Sequence, residues 1–164
     1  MTLAQLNASD RSRFAAALDG IFEGSPWVAE RAWERRPFSC VEQLHASMSA
    51  EVANATVDEQ LALLREHPDL GSRARMSDAS AGEQSHAGLT RMAPGDLERL
   101  RRLNDEYREK FGFPFLLAVK GCTTDEVLAA LERRLSARRE VEHVQALTQV
   151  YRIAGFRLND RIRS

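Results

Sequence analysis

Residues 65–89 read REHPDLGSRARMSDASAGEQSHAGL, and they set one histidine, His67, between an apolar helical run and Pro68. A polar stretch carrying Ser80, Glu83 and Gln84 follows. An imidazole with an ordinary pKa of about 6.5 both takes and gives a proton around neutrality, so a histidine held in one place is suited to general acid/base work. A carboxylate, a hydroxyl and an amide in the next segment can orient a substrate by hydrogen bonds. The plain alternative is a helix end followed by a solvated loop. The surrounding elements have to decide between the two.

The segment before His67 opens with Thr56 and Glu59, a capping-box pair that satisfies two orphan N–H groups at a helix start. The spacing predicts a helix over 57–66 with Val57, Leu61 and Leu64 on its inner face. It stops at His67 because a proline disfavours the α region for the residue before it. Most of the remaining chain shows the same helical periodicity, and period-2 alternation is almost absent. Ser9 is expected to cap a helix reaching about Asp19. Ser25-Pro26 starts a second, which Pro37 ends, and Ser39 with Glu42 starts a third over 40–54. A short helix near 83–92 is followed by one from Pro94 to Gly112, with Leu97, Leu100, Leu103, Tyr107 and Phe111 on one stripe. Thr123 or Thr124 caps the next helix, along Val127, Leu128, Leu131 and Leu135. A last helix over 137–162 is expected to bury Val141, Val144, Leu147, Tyr151, Ala154, Leu158 and Ile162. These elements predict an all-α fold, one domain over 1–164 with about eight helices.

One segment breaks the pattern. FGFPFLLAVKG places an apolar run from Phe113 to Val119 directly after a helix end, and Pro114 pushes Phe113 into an extended conformation. No other stretch resembles a partner strand. Buried N–H and C=O groups of a lone extended segment need partners, which a ligand could supply; the first turn of a buried helix is the equal alternative.

Composition excludes several function classes. With 23 basic and 24 acidic residues and a formal charge of −1, no global field draws nucleic acid or an anionic membrane. No apolar run is long enough to span a bilayer, and the N-terminal stretch lacks a signal-peptide pattern, which predicts a cytoplasmic protein. Cys40 and Cys122 do not form a disulfide framework, and neither they nor the four histidines show metal-ligand spacing. No metal is expected.

Several stretches together resemble one family. SPWVAERAWERRPF at 25–38, HPDL at 67–70, S-x-x-E-Q at 80–84 with AGL at 87–89, LNDEYREKFGFPFLLAVKG at 103–121 and RIAGFRL at 152–158 look like the 2-oxo-4-hydroxy-4-carboxy-5-ureidoimidazoline (OHCU) decarboxylases. HPDL alone is weak; in order with S-x-x-E-Q and K-F-G-F-P-F it is specific. The resemblance implies an all-α, cofactor-free enzyme, commonly a homodimer, that forms (S)-allantoin at the last step from urate. It implies His67 as the catalytic histidine, with Glu83 and Arg157 as its catalytic companions. Pro68, Ser80, Gln84 and the backbone of Phe115, Leu116, Leu117, Ala118 and Val119 are implied as substrate contacts.

The residues fit that chemistry. Loss of CO₂ beside a C=N bond sends an electron pair into the ring and needs a proton delivered to one face; the conjugated ring is its own electron sink. Glu83 can orient ureido N–H groups or set the charge of His67. Arg157 can meet a carboxylate or ring carbonyl through its planar fork. At roughly 100° per residue it lies in line with Val150 and Ile153, whereas Arg152 is about 140° away. Arg161 shares that side and is a secondary candidate. Two rivals stay open: an enzyme of the same fold acting on another cyclic ureide, and a non-catalytic binding module.

Overall fold

Capping chemistry sets several of the helix starts. In the computed structural model, which describes residues 1–71, 78–86 and 88–163, the hydroxyls of Thr2, Thr56 and Thr123 each accept from the N–H three residues on. Gln5, Glu59 and Glu126 return the bond to the cap. Each such cap is worth about 1 kcal/mol.

The helices are α1 (Leu3–Asn7), α2 (Arg11–Ala17), α3 (Trp27–Ala32), α4 (Val41–Ala53), α5 (Val57–Arg65), α6 (Asp78–His86), α7 (Pro94–Phe111), α8 (Thr124–Leu135) and α9 (Arg139–Arg161). Single 3₁₀ turns occupy Trp33–Arg35 and Leu89–Arg91. The protein is all-α. Among the described residues the extended pairing is one isolated bridge, Thr2 with Arg163. No helix among them is long and apolar enough to cross a membrane.

Several starts differ from expectation by one residue. Asp10 rather than Ser9 caps α2, its carboxylate accepting from Arg13 N–H. Ser9 instead turns its hydroxyl back to Leu6 O. Pro26, not Ser25, is the boundary residue of α3, and the Ser25 hydroxyl donates to Glu23 O. Cys40 precedes α4, and Ser39 pairs with Gln43 rather than in a box with Glu42. At α2 the neighbouring carboxylate takes over the orphan N–H, whereas α3 and α4 start without a side-chain cap bond.

The contacts gather the chain into two compact units, Met1–Glu66 with Tyr151–Ser164, and His67–Val150. The first is built on α1 to α5 and the end of α9. Its core holds Leu6, Phe14, Leu18, Ile21, Val28, Leu44, Met48, Val52, Leu63, Leu64, Ala154 and Leu158. Phe14 and Phe38 stack with centroids 6.2 Å apart, and Asn7 closes a two-bond clasp on the Phe38 backbone. His45 Nε2 lies 2.7 Å from Tyr151 O, above Gly155, where a Cβ would come within 3.4 Å of the ring.

The second unit contains α6, α7, α8, the start of α9 and the segment 113–119. Tyr107, Phe111, Phe113 and Phe115 form an aromatic cluster with neighbouring centroids 4.5 to 6.2 Å apart. Gly112 ends α7 in the left-handed region at φ 79°, a conformation that costs glycine nothing.

Two expected inner faces hold only in part: Leu64 on α5 and Leu147, Ala154, Leu158 and Ile162 at the chain's end are buried as expected, and their valines are not. Val57 is 63% exposed, and Gln60, Leu63 and Leu64 face inward on α5. Val141 and Val144 are exposed, the latter at 65%, while Glu142, Ala146, Gln149, Val150, Ile153, Arg157 and Leu158 are buried. Helical phase decides which side chains turn inward, and here it sets polar groups inside and valines out.

Candidate active site

His67 follows Glu66, the C-terminal boundary residue of α5, and is only 5% exposed. The stretch after it is tied down at three points. Arg108 pairs with Asp69 at 2.8 Å. Asn104 Nδ2 donates to Leu70 O at 2.9 Å, and Gly71 N–H donates to Gln84 Oε1 at 2.9 Å. Two of the anchors come from α7 and one from α6. Gly71 itself sits at φ 69° with Leu100 Cδ2 2.8 Å from where a Cβ would be, so glycine is required both sterically and by backbone conformation. The backbone that follows the histidine is thus held by two buried amides and an arginine.

On α6, Glu83 is half-buried and Gln84 is buried. The structure thus brings Gln84 to the loop that follows His67, where the side-chain oxygen serves the fold. Ser80 falls within α6, but its side chain lies outside the described residues. Pro68 is half-buried.

The segment 113–119 is extended without a partner strand, and Phe115, Leu116, Ala118 and Val119 are buried while Leu117 is half-buried. Two of its backbone groups are satisfied by side chains that sequence reasoning missed. Gln149 Oε1 accepts from Ala118 N–H at 3.0 Å, and Arg134 Nη1 donates to Leu116 O. Arg134 is in turn clamped. Its Nε donates to Glu142 Oε1 at 2.5 Å, the same oxygen accepts from the Tyr107 hydroxyl, and the guanidinium lies 4.5 Å from the Phe115 ring centroid. Burial, then the hydrogen bond to Glu142, push the Tyr107 hydroxyl far above its usual range, so it stays a proton donor. Glu142 and Gln149 were discoverable: continuing the Val150, Ile153 and Arg157 stripe backwards by helical steps reaches both.

Arg157 is buried, 6% exposed, and belongs to the first unit. Its Nη1 donates to Gly20 O at 2.7 Å and to Glu23 Oε2 at 2.8 Å. Glu23, 7% exposed, is a further residue that the sequence reading did not single out; a lone acid before Gly-Ser-Pro-Trp carries no periodic signal. Arg161 is exposed and donates to Ala17 O and Asp19 O. Those are carbonyls at and just past the end of α2, which a cation suits. This gives Arg161 a structural task. Among the described residues no three His, Cys, Asp or Glu side chains gather as metal ligands.

Comparison with known proteins shows the family. The family model described as OHCU decarboxylase matches residues 7–159. A 2-oxo-4-hydroxy-4-carboxy-5-ureidoimidazoline decarboxylase of Haloferax volcanii is 46% identical over the whole chain and 98% of its own length. The mouse protein of that name is 37% identical over 98% of the chain and 92% of its own length. A bifunctional uric acid degradation protein of Bacillus subtilis is 45% identical, and the chain spans 33% of it. Among solved structures, an (S)-allantoin synthase superposes with TM-score 0.81 at 35% identity, covering 99% of this chain and 54% of that one. An OHCU decarboxylase crystallised in the presence of (S)-allantoin has the same fold, TM-score 0.73 at 23% identity, covering 93% and 97%. With a family match spanning nearly its full length, the chain belongs to the OHCU decarboxylase family.

Proposed function

We propose that the protein is a cofactor-free carboxy-lyase converting OHCU into (S)-allantoin in urate degradation. The observation that carries this reading is the buried histidine of the HPDL stretch in a chain 46% identical, end to end, to a decarboxylase of that substrate.

In this reading the bond from the hydroxyl-bearing ring carbon to the carboxylate breaks. Its electron pair forms a double bond toward the ureido-bearing carbon, and the former C=N pair moves onto nitrogen and takes up a proton. The resulting enol then gives up its hydroxyl proton while the ureido-bearing carbon gains one on a single face, which fixes the hand of the product. His67 moves these protons. Glu83 orients the ureido N–H groups or sets the charge of His67, and Arg157 orients the carboxylate. Pro68, Ser80, Gln84 and the backbone of Phe115 to Val119 contact the ring and ureido groups. An extended backbone suits a ligand rich in amide donors and acceptors. Residues 1–164 act as one catalytic domain, cytoplasmic and homodimeric.

The test is circular dichroism at an allantoin band, with substrate made in situ from urate by a uricase and a hydroxyisourate hydrolase. Optical activity should grow well above the spontaneous racemic background. A trace matching the protein-free control would sink the assignment and point to another cyclic ureide.

A further inference from the structure

We propose that Glu23 is a positioning residue for Arg157, and that its buried carboxylate weakens the arginine's hold on the substrate carboxylate so that CO₂ departs more easily. The proposal rests on the reading of Arg157 given above.

The geometry is that of a built support rather than a chance surface pair. Both side chains are more than nine-tenths buried, and they meet at 2.8 Å. The two N–H groups of Arg157 Nη1 are both engaged by one turn, Gly20 O and Glu23 Oε2. That turn is itself held. The Ser25 hydroxyl donates to Glu23 O at 3.0 Å, and Arg161 reaches the carbonyls of Ala17 and Asp19 just before it. Gly20 and Gly24, at φ 74° and 56°, bracket it. At Gly24 a Cβ would collide with the Glu66 carboxylate at 2.5 Å. The turn therefore fixes the Nη1 end of the guanidinium through Gly20 and Glu23.

Electrostatics gives the support a second consequence. The substrate carboxylate carries its charge in the ground state and leaves as neutral CO₂, while the electron pair moves into the ring. A full cation facing that carboxylate would stabilise the ground state more than the transition state, which lowers kcat while tightening binding. A resident carboxylate bound to the same guanidinium offsets that cation while leaving its hydrogen-bond geometry in place.

Replacing Glu23 by Gln keeps the shape and an acceptor but removes the charge. Measured against wild type, Glu23→Gln should lower kcat and KM together. Competitive inhibition by allantoate, an open-chain ureido carboxylate, should tighten on the order of ten-fold, the size of one charge-assisted hydrogen bond, while inhibition by neutral (S)-allantoin stays unchanged. Glu23→Asp, which withdraws the carboxylate by one methylene, should tighten allantoate in the same sense by roughly two- to three-fold. It decides the matter if the Gln variant does not fold. A support that only stabilises the fold would weaken both inhibitors together; that outcome, or no tightening of allantoate in a folded variant, overturns the proposal. Arg157→Gln separates the two levels. Full turnover in that variant removes the role of Arg157 and this inference with it, whereas lost turnover with untightened Glu23 variants removes the inference alone.

Discussion

His67 is the side chain on which most of the proposed chemistry depends, and its surroundings make its replacement informative. Because Asp69, Leu70 and Gly71 are tied to Arg108, Asn104 and Gln84, the loop should survive loss of the imidazole. His67→Asn is therefore expected to keep the helical far-UV signal and thermal midpoint while turnover falls by about 10²- to 10⁴-fold, the usual worth of a positioned acid/base. Steady-state formation of (S)-allantoin by the purified variant is the check, and activity close to wild type would exclude the role. The histidine and its proline were legible in the sequence because a residue before proline at a helix end has little conformational choice. Glu23 was not legible, since its significance comes from a partner 134 positions away.

Among the elements, the extended segment and α9 illustrate what periodicity conveys and what it hides. The break in helical pattern at Phe113 was visible, and the segment is indeed non-helical and buried. The partners of its backbone were hidden. The sequence leaves a ligand and a first helical turn as equal ways to satisfy those groups; in the structure Ala118 N–H and Leu116 O are met by Gln149 and Arg134. Hydrophobic counting also misplaced the start of α9, because Val141 and Val144 look like core residues while Glu142 occupies the inward phase. The buried trio of Arg134, Glu142 and Tyr107 gives a graded expectation. Arg134→Met leaves the Glu142 carboxylate without its cation and should cost about 3–5 kcal/mol. Tyr107→Phe removes one hydrogen bond to a charged acceptor, about 1.5–3 kcal/mol. Urea denaturation of both variants tests the order; a Tyr107→Phe penalty exceeding that of Arg134→Met would contradict the arrangement.

For the molecule as a whole, pH sensitivity and assembly order follow from features outside the proposed site. The Arg31 guanidinium, aided by the Thr56 N–H, holds the Glu59 carboxyl down to about 2 from the ordinary 4.5. A carboxylate depressed in the folded state stabilises above its unfolded pKa and loses that contribution as pH falls through the folded one. Wild type and Glu59→Gln should thus differ in unfolding free energy by a constant amount above about pH 5, with the gap shrinking below 4.5 and closing near 2. Chemical denaturation at a series of pH values reads this directly, and a gap that widens on acidification would contradict the pairing.

The division of the chain also bears on how it is made. The unit His67–Val150 is one continuous stretch, whereas the other needs Met1–Glu66 and Tyr151–Ser164 together, down to the hydrogen bonds joining Leu3 and Met1 to Arg163. On a ribosome the inner stretch can complete its contacts while the outer one still waits for its closing strand of sequence. The entropy of so long a closure grows only slowly with loop length, but the contacts are of high sequence separation and come late. The arginine and its glutamate are then among the last partners to meet, so pulse-labelled hydrogen exchange should protect Ala118 before Leu3.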